Sequence, residues 1–331
     1  MNNKNFSFAR RRLCAAACLA LLAAGQTPAL AAAYPDKPIR LIVAFSPGGP
    51  TDVLARLVAK RLADGLGQQV VVENKPGAGG NIASEAVANA PADGYTLLYN
   101  SSSIAISPAL FGNDKLDPGK IFTPVASVAN VPLVLIVNPA VRVDTAAGFV
   151  ALLKQQPGKL NMGSSGNGTI DHLTSVLFAR QTGTEFAHVP YKGNAAALPD
   201  LMSGRIDFMM SGSLNAFLPY VREGKLKALA VTTGTRVSAL PDVPTLAETV
   251  APGFDSGTWQ GIVGPAGLPA AVTAKLNHAV NDALKDSALK ASLDAQGAEP
   301  TAGTPTQYGD LIRAEYQRWS AIIKETGASS N

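Results

Sequence analysis

Short apolar segments alternate with amphipathic ones along this chain, and that alternation constrains its fold more than any other feature. Residues 39–45 are rich in β-formers and almost entirely apolar, as expected for a strand buried on both faces. The loop 46–50 (SPGGP) interrupts this run. The next segment places Leu54, Val58 and Leu62 on one helical stripe. Because the order recurs, the sequence predicts an α/β fold in which mostly parallel sheets are flanked by helices.

The length of the chain and the breaks in its pattern of strands and helices predict two lobes. About 300 residues follow the N-terminal segment, which suits two compact bodies rather than one. A long apolar stretch at 132–137 is expected to begin the second lobe, and the Pro- and Gly-containing segment 240–257 to return the chain to the first. The prediction is lobe 1 at 34–132 and 253–331, lobe 2 at 133–252, and a ligand cleft between them.

The first 33 residues have the order of a secretory signal peptide. Lys4 and the arginines at 10–12 precede an apolar run at 13–24, which is too short to span a bilayer. Ala29-Leu30-Ala31 then offers a small-x-small cleavage site. We expect residues 1–33 to be removed and the mature protein to reside in the periplasm. Cleavage after Ala31 or Ala33, and Sec or twin-arginine export, remain open.

Removal of this segment changes the bulk chemistry of the chain. Both cysteines, Cys14 and Cys18, lie in it, so the mature chain would have no thiol for a disulfide, a metal or a nucleophile. The segment holds four of the 28 basic residues and none of the 24 acidic ones. The mature net charge would therefore be zero, which argues against a nucleic-acid partner. We expect neither a bound metal nor a cofactor.

Two segments, 45–54 and 163–173, share one pattern: a strand, a loop of small residues, and a helix with Thr near its start. Free N–H groups at a helix N-terminus, together with the helix dipole, form an anion site. In open α/β sheets such loops lie at the carboxyl ends of strands, where ligands bind. The candidate ligand-binding residues in the two loops are Phe45, Ser46, Gly48, Gly49, Thr51, Asp52, Ser164, Gly166, Thr169 and His172. The candidate side-wall donors are Ser101, Ser102, Lys192 and Ser211.

Enzyme signatures are incomplete in this sequence. There is no Gly-x-x-x-x-Gly-Lys-Ser/Thr loop, and residues 77–80 (GAGG) lack the dinucleotide-binding spacing. Residues 163–166 (GSSG) are one residue short of a Gly-x-Ser-x-Gly elbow. The three histidines, His172, His188 and His278, have no metal-ligand spacing. These absences favour a binding protein over an enzyme.

Several motifs together resemble one family. They are residues 34–40 (YPDKPIR), 47–52 (PGGPTD), 73–80 (ENKPGAGG), 91–97 (PADGYTL), 163–169 (GSSGNGT) with His172-Leu173, and 189–193 (VPYKG). This combination closely resembles the tripartite tricarboxylate transporter receptor family, also called the Bug family. The resemblance implies a two-lobed, type II-like periplasmic binding protein without catalysis. It also implies that the loops 45–52 and 164–172 pinch a ligand carboxylate, partly through water.

We therefore expect a receptor that captures a small organic carboxylate and delivers it to membrane transporter subunits. Two alternatives remain open at this stage. One is a secreted α/β hydrolase or lyase that uses Asp52 and His172 on a carboxylate substrate. The other is a sensor that presents its closed form to a membrane kinase. Amino acids, di- and tricarboxylates, and aromatic carboxylates are all candidate ligands.

Overall fold

The computed structural model describes residues 34–191, 193–212, 214–295 and 297–327. The predicted signal peptide and Lys192 lie outside these ranges. Lys37–Asn331 forms one compact unit. No helix in the part of the chain that the structure describes is both long and apolar enough to cross a membrane.

Eleven strands are found among the described residues, and they form two sheets. In chain order the strands are β1 (Ile39–Val43), β2 (Val70–Asn74), β3 (Thr96–Ser101), β4 (Phe122–Pro132), β5 (Val134–Val137), β6 (Asn161–Ser164), β7 (Ala187–Pro190), β8 (Phe208–Ser211), β9 (Lys227–Val231), β10 (Gly257–Pro265) and β11 (Glu299–Pro300). The first sheet has the order β11-β4-β10-β3-β1-β2, and the second β7-β6-β8-β5-β9.

Helices connect and flank these strands. They are α1 (Pro50–Leu66), α2 (Asn81–Ala88), α3 (Ser103–Leu110), α4 (Pro118–Ile121), α5 (Ala146–Gln155), α6 (Ile170–Thr182), α7 (Asn194–Ser203), α8 (Leu214–Arg222), α9 (Leu246–Thr249), α10 (Ala270–Ala283), α11 (Ser287–Asp294) and α12 (Pro305–Thr326), with 3₁₀ turns at Ala78–Gly80 and Asp114–Leu116. The predicted helix after the loop 46–50 is confirmed as α1. Its stripe of Leu54, Val58 and Leu62 is buried.

The α/β class is confirmed, but both sheets are mixed rather than mostly parallel. β1 runs parallel to β2 and β3, whereas β10 is antiparallel to both β3 and β4. In the second sheet β6 is parallel to β7 and β8, whereas β5 is antiparallel to β8 and β9. The reason is that the chain leaves the first sheet through β4 and re-enters it through β10, and these two long strands pair directly. A strand that leaves the sheet and one that returns to it from the same side point in opposite directions, so the two pair antiparallel.

β5 anchors the second sheet because it is buried on both faces. Val134 and Ile136 pack into one apolar cluster with helices α7 and α8, through Leu201 and Phe217. On the opposite face Leu135 joins a larger cluster, which also contains residues of the first sheet such as Leu98 and Ile42. This alternation of two faces is the period-2 pattern of a strand.

Candidate functional site

A cavity of about 490 Å³ opens between loops that belong to the two sheets. Most of its wall is supplied at the carboxyl ends of parallel strands: Phe45 follows β1, Ser102 follows β3, Ser165 follows β6 and Gly212 follows β8. This is the edge of an open α/β sheet at which ligands bind. The volume lies in the range of small-molecule sites.

The first loop is held in shape by Asp52, in the first turn of α1. The carboxylate is 2% exposed, and its Oδ2 accepts the Gly48 N–H at 2.8 Å and the Arg56 Nε–H at 2.9 Å. Its Oδ1 accepts the Asn74 amide at 2.8 Å, and that amide also donates to the Phe45 carbonyl. Burial by itself raises the pKa of Asp52, but the hydrogen bonds from Arg56, Gly48 and Asn74 outweigh it and lower the pKa.

The second loop uses the same hydrogen-bond pattern with a different side chain. The Gly168 N–H donates to Nδ1 of His172, four residues later, at 3.1 Å, just as Gly48 donates to Asp52. Thr169 caps α6, and its hydroxyl donates to the Gly166 carbonyl at 2.8 Å. The two loops that look alike in sequence therefore also fold alike.

His172 is fixed in this role by a second histidine. Its ring stacks on that of His188, with centroids 3.9 Å apart and planes at 8°. Nε2 of His188 lies 2.7 Å from Oγ of Ser164, which also receives the Gly166 N–H. Burial and the neighbouring ring of His188 lower the pKa of His172 to about 4, so the ring is neutral at pH 7 and its Nδ1 can accept. His172 thus braces the loop as a neutral acceptor.

Asp171 is the ionisable side chain among the described residues that line the cavity. It is 2% exposed, and burial raises its pKa to about 6. Hydrogen bonds from the Ser165 hydroxyl, the Asn194 side chain and the N–H groups of Ser165 and Gly212 act in the opposite direction. Its Oδ2 has no hydrogen-bond partner. At neutral pH the cavity wall therefore carries a buried carboxylate with one unused acceptor.

The structure separates the predicted site residues into two groups. Those that line the cavity are Phe45, Thr51, Ser101, Ser102 and Thr169. Those that do not line it, but belong to the adjoining loops, helix starts and strand ends, are Ser46, Gly48, Gly49, Asp52, Ser164, Gly166, His172 and Ser211. Direct contact between a ligand and any of these residues remains a prediction, as does the role of Lys192, which the structure does not describe.

The N–H groups of Gly48 and Gly49 were expected to hold an anion, but both are already bonded within the loop. Gly48 donates to Asp52, and Gly49 donates to the Ser46 carbonyl at 3.3 Å. The first-turn N–H groups of α1 and α6, such as those of Thr51 and Ile170, have no acceptor within their own helix. These groups, and not the glycine N–H groups, are the ones placed to meet an anion.

Sequence reasoning missed most of the apolar wall and its buried carboxylate. The cavity is also lined by Ile106, Leu110, Phe111, Val131, Ile170, Asp171, Thr258 and Gln260. The residues from α3 were missed because the serine run 101–103 and Pro108 resemble a loop in the sequence. Asp171 carried a usable signal, since it lies one residue from His172 in a loop that had already been singled out. Thr258 and Gln260 come from a strand remote in sequence, which no local pattern reveals.

The described residues contain no cluster of three or more His, Cys, Asp or Glu side chains placed to hold a metal ion. The absence of a metal or cofactor remains a prediction from the sequence.

The chain is similar to known proteins over nearly its whole length. A family model described as "Tripartite tricarboxylate transporter family receptor" matches residues 54–328. Protein BugT of Bordetella pertussis is 39% identical over 303 residues, which cover 91% of this chain and 93% of that protein.

Two solved structures extend the similarity to three dimensions. R. palustris Rpa4515 with adipate is 37% identical, with a TM-score of 0.74, over 89% of this chain and 99% of that one. The periplasmic binding protein BugD is 32% identical, with a TM-score of 0.70, over 89% of this chain and 99% of that one. The predicted fold of a periplasmic binding protein is thereby confirmed.

Proposed function

The chain belongs to the tripartite tricarboxylate transporter receptor family, and we propose that it captures a small organic carboxylate in the cavity between its two sheets. As a member of this family it is a solute-binding receptor and not an enzyme. The observation that carries the proposal is the pair of like-folded loops, each leading into a helix N-terminus at one cavity. The adipate bound to the similar R. palustris protein supports a carboxylate as the ligand.

In this proposal the carboxylate accepts hydrogen bonds from the first turns of α1 and α6. Thr51 and Thr169 both line the cavity at these turns. The partial positive charge at each helix N-terminus adds to the attraction for an anion. Neither the neutral His172 nor Asp52 supplies positive charge, and the Thr169 hydroxyl already donates to Gly166. In this proposal recognition therefore rests on the first-turn N–H groups and on the other cavity hydroxyls.

We expect at least one small carboxylate to raise the thermal stability of the mature protein, and its neutral amide not to. At 100 times the dissociation constant, a ligand adds roughly 2.7 kcal/mol to the free energy of unfolding. The measurement is a thermal-shift screen of mono-, di- and tricarboxylates, adipate included, each paired with its primary amide. Calorimetry on the hits gives affinity and stoichiometry.

The amides are the matched controls because they keep the size and the acceptor oxygen but lose the charge. Amides that stabilise as strongly as their acids would overturn the carboxylate assignment. A turnover assay on each hit should recover the ligand unchanged, whereas conversion would restore the alternative of a hydrolase or lyase.

We further propose the boundaries of the two lobes and the delivery of the ligand to transporter subunits. The sequence-based second lobe, 133–252, contains all five strands of the second sheet, which supports a division between the sheets at 132–133 and near 253. The name of the family supports delivery of the ligand to the membrane subunits of a tripartite transporter. Signalling to a membrane kinase has no specific observation in its favour.

We also expect the mature protein to begin near Ala32 or Tyr34 and to reside in the periplasm. The reason is the order of basic, apolar and Ala-rich segments before that point. N-terminal sequencing of the protein from an osmotic-shock fraction checks this. Recovery of a chain that still starts at Met1 would contradict it.

A further inference from the structure

We infer that the ligand carries an ammonium group beside its carboxylate, so that the receptor selects 2-amino acids with an uncharged, apolar side chain, and that Asp171 is the residue that recognises the ammonium. This inference rests on the proposed function, because it assigns the ligand class of the same cavity. It adds a role for Asp171 that the two-loop carboxylate pinch does not contain.

The first argument is the unused acceptor. Asp171 Oδ2 is buried in the cavity wall and has no hydrogen-bond partner. A buried polar atom without a partner costs free energy comparable to a lost hydrogen bond, and a charged one costs more. A second buried acceptor in the same wall, Oε1 of Gln260, is likewise without a donor. Both residues line the cavity, and two buried acceptors without donors in one wall call for a ligand that brings donors.

The second argument is charge. The polar groups around the Asp171 carboxyl are N–H and O–H donors of Ser165, Asn194 and Gly212, and such surroundings suit an ionised carboxylate. Among the described residues that line the cavity, Asp171 is the one that carries charge. A plain carboxylate at the N-terminus of α6 would meet this like charge and be repelled. An ammonium on the adjacent carbon converts that repulsion into a charge-assisted hydrogen bond.

The third argument is the remainder of the wall. Apart from the Ser and Thr hydroxyls and the uncharged amides of Asn167, Asn194 and Gln260, it is formed mainly by Phe45, Ile106, Leu110, Phe111, Val131 and Ile170. A side chain with a second charge would lose its hydration against these residues without finding a partner among them. An aliphatic or aromatic side chain gains free energy from the same contact. The cavity volume of about 490 Å³ accommodates either.

The test uses matched series in which only the substituent on carbon 2 changes. One series is leucine, 2-hydroxy-4-methylpentanoate and 4-methylpentanoate; the other is phenylalanine, 3-phenyllactate and 3-phenylpropanoate. Calorimetry with the mature protein at pH 7.5 should give the highest affinity for the amino acid and the lowest for the unsubstituted acid. The expected difference between these two is about tenfold to a hundredfold, as for one hydrogen bond to a charged group.

The Asp171→Asn variant supplies the second arm. It should lower the affinity for the amino acid by about tenfold or more and leave that for the unsubstituted acid equal or higher, because the like charge is gone. If this variant does not fold, the wild-type series alone decides the question.

Equal affinity across each series, or a preference for the unsubstituted acid, would overturn the inference, since ordered water would then satisfy Asp171. Failure of both series to bind would overturn it as well. If adipate or another carboxylate bound while both series failed, the proposed function would stand and this inference alone would fall. Failure of every carboxylate would remove both.

Discussion

Replacing Gly168 by alanine should weaken ligand binding by about tenfold to a hundredfold. A Cβ at this position would lie 2.5 Å from both terminal methyl groups of Leu110. Leu110 is the last residue of α3, the helix that follows β3 of the first sheet. Gly168 lies between β6 of the second sheet and α6, so its added methyl group would meet the cavity wall on the side of the first sheet. Overpacking of this kind costs about 1–3 kcal/mol, and about 1.4 kcal/mol corresponds to tenfold in affinity.

Gly158→Ala is the matched control for backbone strain. Gly158 has a φ of 70°, against 69° at Gly168, and a Cβ there would have no atom within 4 Å. Both variants should lose roughly 1–2 kcal/mol of stability from the left-handed backbone, whereas Gly168→Ala alone should lose affinity in calorimetry. Adding Leu110→Ala should restore part of that loss, because it removes the clash. Wild-type affinity in Gly168→Ala would mean that the two walls do not approach each other here when ligand is bound.

Replacing Asp52 by alanine should destabilise the protein by roughly 1.5–3 kcal/mol, the range for hydrogen bonds to a charged group. The carboxylate accepts from Gly48, Arg56 and Asn74, and its loss releases the first loop as well as the start of α1. We place little of the effect on the ion pair itself, because the Arg56 side chain is half exposed. Ligand affinity should fall too, since the loop places Phe45 and Thr51 in the cavity wall.

Asp64→Ala is the control for this variant, because Asp64 lies in the same helix and its side chain is 65% exposed. It should change stability by less than about 0.5 kcal/mol. Chemical denaturation at several pH values adds a second check. Since the folded protein lowers the pKa of Asp52, its contribution is present above the unfolded-state pKa, about 3.9, and is lost as the pH falls through the folded-state pKa. The free energies of unfolding of wild type and Asp52→Ala should therefore become equal in strong acid. Equal stability of Asp52→Ala and Asp64→Ala at pH 7 would contradict the stabilising role of Asp52.

The amino-acid sequence by itself determined the α/β class and the position of the two loops, and it predicted that these loops bind a carboxylate. Local signals sufficed because the loop 46–50 ends an almost entirely apolar strand, and a helix starts within a few residues. The same holds for residues 164–169. Periodicity and turn chemistry act over this short range, so they can be read without coordinates. The repeated loop pattern also located part of the cavity wall, including Thr51 and Thr169.

The tertiary structure alone decided how the sheets are mixed and which side chains reach the cavity. β4 contains Pro124, and β10 contains Gly261, residues that weaken a strand pattern in sequence. Gly261 is needed because a Cβ there would lie 2.5 Å from the Ala126 carbonyl oxygen and against the ring of Tyr308. That requirement comes from residues distant in the chain. The burial of Asp171 has the same origin, since its hydrogen bonds come from Ser165, Asn194 and Gly212, on segments that only the folded chain brings together.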